Sequence, residues 1–176
     1  MTQSVEVLQS ERLIFSTWSE DQIDDVIKLH SDPEVTQYLT GAPEGALEAK
    51  RRLNSWASHF EEFGWCKFRV TRKSDGKFLG RAGFGPLEPE NPEPEIGYAL
   101  LKSEWGNGYA IEAAAALRDW MFERTKHDCF LGYAYSENAA SIKILLAIGM
   151  KFTHTEVVDS GKQLSFHKLS KDELNG

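Results

Sequence analysis

The feature that most restricts this chain is the stretch WGNGYAIEAAAAL (105–117), which puts two glycines between a strand-like and a helix-like run. The preceding EIGYALLK (95–102) alternates like a strand, so the chain passes from strand to helix through Gly106 and Gly108. Glycine at a helix start costs about 1 kcal/mol against alanine. A tight turn would explain it. So would a backbone that must approach a ligand's phosphates, because the first amides of a helix lack internal acceptors and lie at its positive end. The motif lacks the Lys-Ser/Thr ending of a nucleotide P-loop and the third glycine of the dinucleotide fingerprint. Taken alone, it leaves both explanations open.

The rest of the chain gives this turn a setting. RLIFSTWS (12–19) reads as a first strand, and the segment 19–33 as a helix with Ser19 as N-cap. Ile23, Val26, Ile27 and His30 share its inner face, and Pro33 ends it. A second helix is expected over 44–63, with Leu53, Trp56, Phe60 and Phe63 in one stripe and Gly64 closing it. WCKFRVTR and FLGRAGFGPL form a hairpin around Asp75-Gly76, and LEPENPEPE reads as an acidic, proline-rich surface loop. A third helix spans 108–126, with Ala110, Ala114, Leu117 and Met121 on a small-residue face. CFLGYAYSE is a strand, NAASIKILLAIG a short helix capped by Asn138 and Gly149, and two strands follow over 151–158 and 163–169. This order predicts a mixed α/β layer protein with a parallel crossover at 95–136.

With 176 residues the chain fits one domain, 1–176, able to bury a sizeable core. A formal charge of −7 argues against a nucleic-acid partner and suits a cationic one such as an amine. No run is apolar enough for a membrane span and the start lacks a signal peptide, so a cytoplasmic protein is expected. Cys66 and Cys129 read as small buried hydrophobes, and the five histidines show no metal spacing.

Together with the later SENAASIKILLAIGMKF (136–152), the glycine turn resembles the GNAT superfamily of acyl-CoA-dependent N-acetyltransferases. More narrowly it is similar to the ribosomal-protein-alanine acetyltransferase (RimJ/RimL-type) branch, in which a strand ending in IGY leads to WGxGYAxEA and a later helix carries NxxSxxxLxxxGF. Asn138, Ser141, Leu145 and Gly149 match the second motif, with Met150 where phenylalanine is commoner, and SERLIF is similar to the branch's opening strand. The resemblance spans nearly the whole chain. It implies an α+β layered fold with a mixed, mostly antiparallel sheet of about seven strands, a central splayed parallel pair and flanking helices. It also implies acetyl-CoA as cosubstrate, no metal, and an amine acceptor, either a protein N-terminus or a small molecule.

The implied cofactor contacts are Tyr98, Leu100 and Leu101 on the strand, Trp105, Gly106, Asn107, Gly108, Tyr109 and Ala110 in the loop, and Asn138 on the later helix. Trp105 stands where many relatives in the wider superfamily carry glutamine or arginine, so its implied role is backbone-only, with the ring as a packing anchor. Lys102 is a phosphate contact or simply solvated.

Ser141 matches the branch's proposed donor to the leaving sulfur; the tyrosine that other members use four residues on is replaced here by Leu145. A serine hydroxyl is a poor acid, so its part is a hydrogen bond to the thiolate; an ordinary helix serine bonding its own turn is the alternative. Glu95 leads the candidates for general base, with Glu88, Glu90, Glu93, Glu137 and a water chain as competitors. A modest base suits a protein α-amine, with a pKa of about 7.7–8.0, better than a lysine near 10.4. Tyr38 and its neighbours between the first helices are candidates to line the acceptor pocket. An acyl-CoA sensor without turnover shares the glycine turn, and the sequence leaves the acceptor and a monomer or homodimer state open.

Overall fold

The computed structural model describes residues 3–174. Eight strands form one sheet in the order β1-β2-β3-β4-β5-β6-β8-β7. They are β1 (Glu6–Gln9), β2 (Leu13–Ser16), β3 (Lys67–Arg72), β4 (Phe78–Glu88), β5 (Asn91–Leu100), β6 (Cys129–Tyr135), β7 (Lys151–Val157) and β8 (Gln163–Ser170). The helices are α1 (Ile23–His30), α2 (Pro33–Thr36), α3 (Ala46–Phe63), α4 (Tyr109–Arg124) and α5 (Ala139–Ala147). Every strand pair is antiparallel except β5–β6, which α4 bridges.

Three expectations need correction. The sheet has eight strands instead of about seven, because EVLQ pairs antiparallel with β2. Only four residues long and half exposed, β1 has no alternation to announce it. The proline-rich segment is no loop: β4 and β5 stay paired through Pro86↔Pro94 to Glu88↔Asn91. Both prolines lie where only one neighbouring strand is present, since β3 leaves β4 after Gly83 and β6 joins β5 only at Glu95. A missing N–H therefore breaks no ladder. Finally, Pro33 starts α2 after closing α1; Asp32 caps it by accepting the Glu34 N–H at 2.9 Å.

The small-residue stripe of α4 lies on the sheet, with Ala113, Ala114, Leu117 and Met121 wholly buried. Burying Leu117 and Met121 stabilises the fold by about 1.5–3 kcal/mol each. On the opposite face α1 and α3 cover the sheet, where Trp18 stacks on Trp56 at 5.1 Å and donates its indole N–H to Lys67 O at 2.8 Å. Gly64 ends α3 at φ +78°, a left-handed cap that glycine adopts without strain.

Candidate active site

The parallel pair supplies the opening. β5 and β6 match only at Glu95↔Leu131 and Ile96↔Gly132. From Gly97 to Leu100, β5 keeps β4 on one side and has no strand on the other. A cleft of about 770 Å³ runs through this gap, from the glycine turn past Tyr98 and Ser141 to Glu95, Arg81 and Tyr38.

At one end stands the turn before α4. Gly106 and Gly108 both have φ +77°, a region closed to most L-residues. The first bond of α4 runs from the Glu112 N–H to Gly108 O at 3.2 Å. The amides of residues 106–111 donate to no acceptor among the described residues. The turn is held from behind: Arg12 donates to Asn107 O at 3.0 Å and lies 4.5 Å from the centre of the Tyr109 ring. Glu112 accepts from Ser10 Oγ, Arg12 N and Arg12 Nε at 2.6–2.7 Å. Burial raises the Glu112 pKa, but these three donors overcome it and hold the carboxyl below its ordinary value. Glu104, buried just before the turn, pairs with Lys77 and with Arg72 at 3.4 Å; the Lys77 ammonium is the main reason its pKa is lowered. Arg72 in turn holds Asp75 at the tip of the β3–β4 hairpin, Nε to Oδ1 3.0 Å.

In the middle, the Tyr98 hydroxyl donates to Ser141 O at 3.0 Å and lies 3.1 Å from Ser141 Oγ, within hydrogen-bond reach of the serine hydroxyl. Burial raises the Tyr98 pKa to about 12, which keeps the phenol protonated at neutral pH. Asn138 Oδ1 accepts the Ser141 N–H at 3.2 Å, capping α5 while its side chain lines the cleft.

The far end is a layer of charge under α1 and α3. The registers Lys67↔Gly83↔Gly97 and Arg69↔Arg81↔Ala99 set these side chains on the face of Glu95. Gly97 leaves the trough in which Lys67 reaches across; a Cβ there would collide with Nζ. The Lys67 ammonium donates to Glu95 Oε2 at 3.0 Å, Glu95 O at 3.2 Å and Gly83 O at 3.5 Å. Burial pulls its pKa below that of an ordinary lysine, with Glu95 opposing. Arg52 grips Glu44 through two 2.6 Å bonds, and Arg81 Nε donates to His30 Nε2 at 3.4 Å. His30 is wholly buried; that burial, then Arg81 and Arg52, lowers its pKa to about 2, so the ring is neutral.

The structure gathers most of the expected residues. Tyr98, Leu100, Trp105, Gly106, Gly108, Tyr109, Ala110, Asn138, Ser141 and Glu95 line the one cleft. Leu101 does not: its side chain is buried away from the cleft and its N–H is spent on Leu79 O at 2.8 Å. Asn107 folds its amide back onto Glu104 O and Trp105 O instead of toward the cleft. The Trp105 ring is no buried packing anchor; it is half exposed, and its N–H donates to Leu100 O at 2.9 Å. Lys102 pairs with Glu34 on α2. Arg12, Glu104, Lys67, Arg81 and the Tyr98–Ser141 contact escaped the sequence reading. The cross-strand row of glycines was the one signal that pointed to Lys67. Among the described residues no cluster of three or more His, Cys, Asp or Glu is placed to hold a metal, and no helix is long and apolar enough to cross a membrane.

A mixed sheet that parts at its parallel pair, over the head of a helix that lines the gap, defines an acyltransferase of the GNAT type. Residues 12–151 match the family model described as an acetyltransferase (GNAT) domain, and the chain belongs to that family. It is 33% identical over 132 residues to the uncharacterized protein YkkB of Bacillus subtilis, covering 72% of this chain and 74% of that one. To the uncharacterized N-acetyltransferase p20 of Bacillus licheniformis it is 29% identical over 148 residues, 84% and 83% of the two chains. RimL, the ribosomal L7/L12 α-N-protein acetyltransferase, solved with coenzyme A, shares the fold at TM-score 0.80 and 16% identity, over 96% of this chain and 99% of its own.

Proposed function

We propose that this chain, acting as one catalytic domain, transfers the acetyl group of acetyl-CoA to a primary amine. The observation that carries the reading is the run of amides at 106–111 that find no acceptor among the described residues, on residues that all line the cleft except Asn107. In this reading they bind the pyrophosphate, and the unpaired edge of β5 from Gly97 to Leu100 receives the pantetheine amides. RimL, which shares the fold, was solved with coenzyme A.

The amine nitrogen attacks the thioester carbonyl, a tetrahedral oxyanion forms, and the C–S bond breaks to release a thiolate. We assign to Ser141 Oγ the hydrogen bond that stabilises the sulfur as it leaves, its hydroxyl turning from the Tyr98 phenol to the thiolate. A serine beside a phenol held at about 12 is too weak an acid to give up its proton, so it only donates a hydrogen bond and the departing thiolate takes its proton from solvent. Glu95 accepts the amine's proton, directly or through water. Its Oε2 is already engaged by the Lys67 ammonium at 3.0 Å, which leaves the other carboxylate oxygen for the proton. A single carboxylate suits an amine that arrives with a low pKa of its own, which favours an α-amine over a lysine side chain.

The test is thiol release from acetyl-CoA with a panel of peptides and small amines. Saturable release that depends on an amine is expected. Tight acetyl-CoA binding with no release for any amine would instead support an acyl-CoA sensor.

A further inference from the structure

The acceptor end of the cleft holds more positive than negative charge. Arg52 is matched by Glu44 and Lys67 by Glu95, while His30 is neutral. Arg81 forms no ion pair among the described residues. Its side chain is only 6% exposed, its Nε donates to His30, and the Trp56 ring centre lies 5.8 Å from the guanidinium carbon. Its two terminal nitrogens donate to no acceptor among the described residues, yet the residue lines the cleft on the same face as Glu95. Burial, with Arg52 adding to it, lowers the Arg81 pKa to about 10, so the guanidinium is still charged at neutral pH.

A buried cation without a counter-ion is costly, and a planar fork of N–H donors matches a carboxylate in both shape and charge. We propose that the amine acceptor itself carries a carboxylate, which binds Arg81 while the amine faces Glu95. One spare positive charge calls for a monoanion, so a carboxylate fits better than a phosphate dianion. The carboxylate is either the α-carboxylate of an amino acid or the side chain of an acidic residue at a peptide's N-terminus. The proposal rests on the acetyl-transfer reading and narrows its acceptor.

The experiment compares acceptors that differ only in this group: L-amino acids against their amides, and peptides beginning with Asp or Glu against the same peptides beginning with Asn or Gln. In the wild type one of these sets should favour the carboxylate by tenfold or more in kcat/KM, expressed in KM, and the set that does so identifies the source. Arg81→Met should abolish that preference and Arg81→Lys should keep part of it. A bracing role for Arg81 alone would shift the melting temperature and leave the ratio intact, which would overturn the proposal. Amides used as well as acids by the wild type would overturn it even if no variant folds. O-Phosphoethanolamine outcompeting every carboxylate would do the same. If no amine is acetylated, the transfer reading fails, and calorimetry with N-acetyl amino acids against their amides decides the carboxylate separately: equal binding sinks it.

Discussion

The glycine-turn end of the cleft and the acceptor end are built in different ways. At the first, neighbouring amides without acceptors among the described residues sit on one turn that lines the gap, and side chains such as Arg12 and Glu104 only brace the backbone from behind. At the second, side chains from α1, α3, β3, β4 and β5 converge; Lys67 and Arg81 are held by partners far away in the chain, and Arg52 by the nearer Glu44. Amides recognise any phosphate and leave most local residue types free; side-chain clusters fix one chemistry. A single framework can therefore keep its acyl donor while its acceptor changes with a few substitutions.

The sharpest way to break this contrast is at the turn. Gly108→Val puts a β-branched residue at φ +77°, a strain of about 1–3 kcal/mol, and crowds the amides. Calorimetry should show acetyl-CoA affinity falling about 100-fold, with the fold intact by circular dichroism. Unchanged affinity would remove the turn from the site. Glu95→Gln should next reduce kcat by about 50-fold while acetyl-CoA binding holds; an unaltered kcat would hand the proton to a water chain. Ser141→Ala is expected to lower kcat by about 20-fold. Tyr98→Phe added to it should cost little more, because the two hydroxyls act as a unit.

The smallest effect concerns stability at the acceptor end. Unfolded His30 takes up a proton near pH 6.5, whereas burial keeps the folded ring neutral down to about 2. The unfolded state thus binds more protons in this window. Stability present above pH 6.5 falls as pH drops through it, by up to about 1.4 kcal/mol per unit. Urea midpoints measured from about pH 6.5 to 4.5 should decline, and His30→Gln should flatten that slope. The Glu44 carboxyl, lowered chiefly by Arg52, adds its own loss below its ordinary value.

The same contrast explains what could be read from the chain. The glycine turn, the splayed parallel pair and the α5 cap are local or follow from element order, so their sequence signals are contiguous. Lys67 and Glu95 lie 28 residues apart, and Arg81 and His30 lie 51 apart. Each of these residues has an ordinary reading as a strand or helix residue, and only strand register and the packing of α1 on the sheet bring them together. The alternation of 95–102 puts Tyr98 on a strand, but nothing in the sequence sets α5 over it to deliver Ser141. The first strand was too short to alternate. The prolines of the β4–β5 hairpin argued for a loop because the absence of a second neighbouring strand is a property of the assembled sheet.

The link from Asp75 through Arg72 to Glu104 ties the donor site to a hairpin tip on the protein's outside. A substitution there touches no reactant, yet it loosens the guanidinium that steadies the stretch leading into Gly106. Surface changes at this tip are thus a remote adjustment of how firmly the acyl donor is seated, open to drift without any alteration of the residues that do the chemistry.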